Sequence, residues 1–260
     1  MTSQPHKPRV VSVASGKGGV GKTWFAATLA AAMGARGHHA LLVDGDLGLA
    51  NIDVQLGMAP SCDLVDVITG ESALEHAVTA QLGGPHRGGF DVVSGRSGSG
   101  ALSALTADEL SQLCSGIIAI SLKYDVTVVD VAAGLDRSTL RLAGLADDSL
   151  VLVTDEPTSL TDAYAFIKMI RMAKPGVNPQ VVVNQANTDA AGKRTYEALA
   201  RSCHNFLSYT PPLAGVVLKD KFVPGAIRKQ MPIAKHAPQS VAWGQVKALA
   251  NTLFATRLAA

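Results

Sequence analysis

The sequence predicts a doubly wound α/β fold, a mostly parallel sheet with helices on both faces, built around a phosphate-binding loop. Three observations predict it. Short apolar runs rich in Val, Leu and Ile alternate along the chain with longer amphipathic stretches, the rhythm of buried parallel strands joined by crossover helices. The first run passes directly into Gly16-Lys17-Gly18-Gly19-Val20-Gly21-Lys22-Thr23, which fits G-x-x-x-x-G-K-[ST] without a mismatch and lies between the strand and helix that this motif requires. Polar residues stand at the ends of several apolar runs, where ligands of open α/β sheets bind.

Taken in order, residues 10–14 read as the first strand. In the loop that follows, the missing Cβ atoms of Gly16, Gly18, Gly19 and Gly21 let backbone N–H groups point inward, and the next helix adds its positive dipole end. Lys22 then supplies a point charge to the β- and γ-phosphates of a nucleoside triphosphate, and Thr23 offers a hydroxyl to Mg²⁺. Residues 24–35 read as the helix and 40–43 as the second strand, ending on Asp44 and Asp46. After a short strand at 90–93, flanked by Gly/Ser-rich loops at 83–89 and 94–100, come a helix at 107–122 and a strand at 126–129 ending on Asp130. A strand at 150–153 runs into Thr154, Asp155 and Glu156, a helix covers 160–172, and a strand at 181–183 ends on Asn184. A helix at 192–206 and a strand at 213–217 complete the pattern.

The strand ends supply the remaining chemistry. Mg²⁺ keeps several waters and is held by one or two carboxylates plus substrate phosphates, which suits Thr23 directly and Asp44 and Asp130 through water. Asp46, in the glycine-flanked Gly45-Asp46-Leu47-Gly48, is placed to orient the attacking water, with a plain turn role as the competing reading. Asn184 is placed to read the base edge. Residues 16–21 also fit G-x-G-x-x-G, with Asp44 at the end of the second strand. A nicotinamide fold has no use for Lys-Thr directly after the third glycine, whereas a nucleoside triphosphate with Mg²⁺ needs both.

At 260 residues, 47% hydrophobic and 17% charged, the chain suits one large domain. The expected layout is a disordered polar arm at 1–8, a P-loop nucleotide-binding domain at 9–240 and a C-terminal helix at 241–260, docked or membrane-targeting. A net charge of +2 gives no sign of the clustered basic face that direct DNA binding calls for. Cys62, Cys114 and Cys203 form no C-x-x-C pair, which argues against zinc and for reduced thiols. The pair His38-His39 precedes a strand, where neighbours face opposite ways and share no metal. Neither a secretory signal nor a spanning segment is evident, so the expected location is cytoplasmic.

Lys17 is a second lysine that an ordinary phosphate loop does not need. With it, the loop resembles the deviant Walker A motif of the MinD/ParA ATPases. That resemblance implies an ATP-sandwiched homodimer in which Lys17 reaches the partner's phosphates, so that catalysis by Lys17, Lys22 and Asp46 is completed by dimerisation. Three further segments are similar to the bacterial flagellar-number regulators of the FlhG (FleN) branch: 44–53, 130–134 and 155–165, the last beginning Asp155-Glu156-Pro157-Thr158-Ser159-Leu160. Gly215-Val216-Val217-Leu218-Lys219-Asp220 resembles the branch's segment beside the adenine and implies that Leu218 and Asp220 contact the nucleotide. Against this pattern, Trp24 stands where relatives often have a small polar residue, leaving its backbone N–H for the α-phosphate. Val131 and Leu218 also depart from it.

The implied partners are an FlhF-type GTPase, a FleQ-type transcription activator or flagellar switch components. Residues 1–8 show no Asp-Gln-Ala-x-x-Leu-Arg segment, by which some relatives stimulate FlhF, so the resemblance implies binding of FlhF and leaves its stimulation open. A relative that positions division machinery, a chromosome or other cargo, and a nucleotide-gated scaffold with negligible turnover, stay open as alternatives. Trp243, Val246, Leu249, Ala250, Leu253 and Phe254 recur at helical spacing. Two readings of this stretch stand: a helix docked on the domain, or an amphipathic membrane-targeting helix for peripheral contact with the inner face of the cell membrane, carrying only Lys247 and Arg257 as basic anchors.

Overall fold

The structure is a computed structural model that describes residues 9–96 and 105–255. The arm expected at 1–8, most of the loop expected at 94–100 and the tip of the C-terminal stretch lie outside the described residues. In chain order the elements are β1 (Arg9–Ser15), α1 (Lys22–Gly34), β2 (Ala40–Gly45), α2 (Ile52–Leu56), α3 (Leu64–Ile68), β3 (Val78–Gln81), β4 (Phe90–Val93), α4 (Ala107–Ser121) and β5 (Val126–Ala133). Then follow α5 (Arg137–Ala143), β6 (Asp148–Val153), α6 (Pro157–Ala173), β7 (Asn178–Ala186), α7 (Asp189–Leu207), β8 (Leu213–Leu218), α8 (Phe222–Arg228), α9 (Ile233–His236) and α10 (Val241–Ala255).

The strands form one sheet in the order β3-β4-β2-β5-β1-β6-β7-β8. Every pair is parallel except β3 with β4. Strands β1, β2 and β6 are buried along their whole length, because helices cover both faces and leave no polar face to alternate with. Two expectations need correcting at the sheet edges. β3 was not foreseen, since Val78-Thr79-Ala80-Gln81 is short, mostly half-exposed and carries no apolar run. β8 was expected to be buried, but it is the opposite edge and mostly half-buried; one neighbour instead of two leaves it that way.

Two apolar layers hold the sheet. One packs α4, α5, α6 and α7 on one face, and the other packs α1 and α10 on the opposite face. α1 is buried almost all round, from Trp24 to Gly34, which is why its sequence is Ala-rich and shows no polar stripe. The apolar side of α10 packs on α1 and β8, with Ala242, Trp243, Val246, Leu249, Ala250 and Leu253 buried. Arg9 fastens its far end: Nε donates to Asp148 Oδ2 at 3.0 Å, and the guanidinium also donates to the Leu253 carbonyl. Asp148 Oδ1 in turn accepts from Gln180 Nε2 at 2.8 Å. Trp243, Val246, Leu249, Ala250 and Leu253, on which a membrane-targeting reading depends, are thus part of the core, while the side chain of Phe254 lies outside what is described. Among the described residues, no helix is long and apolar enough to cross a membrane.

Candidate functional site

The sheet order places the ends of β2, β5, β1, β6 and β7 side by side, with the loop of residues 16–21 rising from β1 at the centre. Two glycines in that loop are required by what surrounds them. A Cβ at Gly16 would stand 2.1 Å from the backbone oxygen of Asp162 in α6. At Gly21, φ is 88° and a Cβ would meet Asn184 Nδ2 at 2.6 Å. Gly18 has nothing within 4 Å of such a Cβ, so the loop closes without needing a glycine there, contrary to expectation. Ser15 Oγ donates to the Lys17 carbonyl at 2.6 Å, and Asn184 Nδ2 donates to the Val20 carbonyl at 2.8 Å. The loop is therefore preorganised from both flanks.

Asp44 and Asp130, register partners on β2 and β5, are almost completely buried. Burial pushes Asp44 up to about 7 against three backbone N–H donors, those of Asp46, Asn51 and Ile52. Asp130 is pushed up to about 8, by burial first and then by the charge of Asp44, while the Thr23 hydroxyl and Lys22 pull it down. Its Oδ1 has no hydrogen-bond partner among the described residues. Burial lowers Lys22 from its ordinary value, with Asp130 and Asp46 opposing that shift. Thr23, Lys22, Asp44, Asp46 and Asp130 are thus one electrostatic cluster.

Asp46 also has a turn role: its Oδ1 accepts from Leu49 N at 3.0 Å, and its own N–H donates to Asp44 Oδ1 at 3.2 Å. The Lys17 Nζ is paired with Glu156 and donates to Thr158 Oγ1 at 2.9 Å. Sequence reasoning missed both partners of Lys17. The signal was there, since Glu156 and Thr158 open α6 at a strand end.

Beside the loop lies a cavity of about 750 Å³, lined by Gly19, Gly21, Trp24, Asn184, Leu218 and Asp220 among others. Its size and largely apolar walls suit a base and sugar. Asn184 is only partly available to it, because one amide hydrogen goes to Val20. Asp220 lines the cavity, yet its carboxylate caps the chain: Oδ1 accepts from Phe222 N at 2.9 Å, and Oδ2 accepts from Ser240 Oγ at 2.7 Å and Ala242 N at 3.1 Å. Partial burial opposes its ionisation, but these donors outweigh that and lower Asp220 below the usual carboxylate range. Trp24 is buried with its indole Nε1 unpartnered among the described residues. Gln185, Pro224 and Ile227, also lining the cavity, were not foreseen, as nothing in their residue types marks them.

The family described as the CobQ/CobB/MinD/ParA nucleotide-binding domain matches residues 11–233. The chain is 37% identical over 246 residues to the antiactivator FleN of Pseudomonas aeruginosa, covering 95% of this chain and 86% of that protein. It is 26% identical over 250 residues to the flagellum site-determining protein YlxH of Helicobacter pylori, covering 94% and 81%. Among solved structures, the septum site-determining protein MinD complexed with Mg-ADP from Pyrococcus horikoshii OT3 has the same fold, with a TM-score of 0.79 at 24% identity over 96% of this chain and 97% of that one.

Proposed function

Because this chain belongs to the CobQ/CobB/MinD/ParA nucleotide-binding family, we propose that it regulates flagellar number and placement as a switch that dimerises with ATP and resets by hydrolysis. FleN, of the branch that residues 44–53, 130–134 and 155–165 resemble, and YlxH, named as flagellum site-determining, support the flagellar reading, and each matches nearly the whole chain. The word antiactivator in the first of those names favours a FleQ-type transcription activator as partner.

The observation that carries the chemistry is Asp130 Oδ1, a buried carboxyl oxygen that has no hydrogen-bond partner among the described residues and belongs to the cluster of Lys22 and Thr23, at the foot of a loop whose Gly16 and Gly21 admit no Cβ. A buried acceptor left in that state awaits a donor, and the residues fit a magnesium nucleotide. Thr23 would ligate Mg²⁺, with Asp44 and Asp130 holding its water shell. Bound there, the ion supplies charge neutralisation to the phosphates.

The chain's own residues do the rest. Inward N–H groups of residues 16–21 and the N-terminus of α1 hold the phosphates, and Lys22 neutralises charge on the β- and γ-groups. Asp46 orients the attacking water from the loop after β2. Lys17 leaves Glu156 and Thr158 and reaches the nucleotide of a second copy, which makes hydrolysis depend on dimerisation. Counting flagella tests the reading: cells lacking this gene, complemented with Lys22→Ala, keep the flagellation defect, while the wild-type gene corrects it. Correction by Lys22→Ala would remove the nucleotide switch from the account.

A further inference from the structure

We propose that Gln185 is a positioning residue whose side-chain amide donates to the phosphate chain of the nucleotide where it passes Gly21; this rests on the nucleotide reading of the site. Four non-glycine residues have positive φ among the described residues: Leu82, Gln185, Ser208 and Gln230. The other three follow the ends of elements, whereas Gln185, at φ 58°, lies inside β7. A residue with a Cβ holds this conformation at a cost, and glycine adopts it freely. Strain of this kind persists only where the surroundings over-determine it.

Two anchors do so here. On one side the Asn184 amide is tied to the Val20 carbonyl at 2.8 Å. On the other, the Lys219 N–H donates to the Ala186 carbonyl at 2.9 Å, resuming the ladder with β8 after a register break between Val183 and Ala186. Asn184 and Ala186 are buried, and Gln185 alone is left exposed between them, on the wall of the 750 Å³ cavity.

Its Nε2 lies 3.6 Å from the point a Cβ on Gly21 would occupy, next to the last loop residue before Lys22. The first turn of α1 provides no further polar side chain there, since the residue after Thr23 is the buried Trp24. A neutral N–H donor at that position complements a phosphate oxygen, and hydrogen bonds to charged acceptors are about twice as strong as neutral ones.

Affinities for ADP, ATP and GTP, measured by titration calorimetry on wild type, Gln185→Gly and Gln185→Glu, together with ligand-free melting temperatures, test the inference. Gln185→Gly releases the backbone strain and removes the donor. It should melt no lower than wild type yet bind ADP and ATP roughly tenfold more weakly. Gln185→Glu keeps the shape but sets a carboxylate against the phosphates, and should bind more weakly still, with a loss that shrinks in added salt. The preference for ATP over GTP should stay at its wild-type value in both. Wild-type affinity in Gln185→Gly would overturn the inference, and so would a changed ATP/GTP preference, which makes Gln185 a reader of the base. A wild-type protein that binds no nucleotide would instead overturn the reading of the site itself.

Discussion

Asp44 and Asp130 stand opposite each other as register partners on neighbouring parallel strands, both buried, with the charge of Lys22 acting on Asp130. Two carboxylates in that position do not both ionise readily until positive charge arrives. Nucleotide binding, protonation and stability are therefore linked at this pair.

The sign follows from the raised values of about 7 and about 8. Between the ordinary carboxylate range and those values the ligand-free native state binds more protons than the unfolded chain, so stability falls as pH rises. The ligand-free protein should melt lower at pH 8.5 than at pH 6, by on the order of 5 °C, and Asp44→Asn should flatten the trend. Binding of Mg-ADP at pH 7 should release protons, seen as a binding heat that changes with the ionisation enthalpy of the buffer. Equal heats in phosphate and Tris would mean that the pair keeps its protons.

Gly16→Ala should destabilise the fold by about 2 kcal/mol or more, because its Cβ lands on the backbone of α6 at 2.1 Å. Gly18→Ala meets nothing and should stay within about 0.5 kcal/mol of wild type. Urea unfolding of the two variants side by side checks the contrast.

Lys17→Ala should leave the monomer's stability nearly unchanged, since its pairing with Glu156 is partly exposed and such pairs are worth about 0–1 kcal/mol. It should bind ATP within about threefold of wild type but dimerise and turn over poorly. Wild-type dimerisation by this variant would return Lys17 to the role of a surface lysine tied to α6.

Trp243→Ala should cost about 3–5 kcal/mol, because the indole is buried between α10 and the rest of the core. For the same reason wild-type protein should not sediment with anionic liposomes through this helix, with or without ATP. Pelleting that appears with ATP and is abolished by polar substitution at Trp243 and Leu249 in a still-folded variant would show that α10 undocks.

Much of the fold was legible because parallel strands buried on both faces are continuous apolar runs. Residues 10–14, 126–129 and 150–153 fall inside β1, β5 and β6 for that reason. β3 and the short helices α2, α5 and α8 carry no such run and take their shape from tertiary packing. Within the site, the convergence of the loop with Asp44, Asp46 and Asp130 was readable because all of them stand at the ends of apolar runs. What was not readable depends on neighbours distant in sequence: Asn184 spending an amide hydrogen on Val20, Asp220 capping the turn into α10, and Gln185 held at positive φ.

If ATP converts one copy into a pair and hydrolysis separates them, blocking hydrolysis alone should trap the pair. Multi-angle light scattering of Asp46→Ala, with and without Mg-ATP, reads this as a mass, with Lys22→Ala as the control that lacks the phosphate contact. Asp46→Ala should be a monomer without nucleotide and a persistent dimer with Mg-ATP, because binding survives while kcat falls by about a hundredfold or more, and Lys22→Ala should be a monomer throughout. A mass that stays monomeric for Asp46→Ala at saturating Mg-ATP would contradict that pairing.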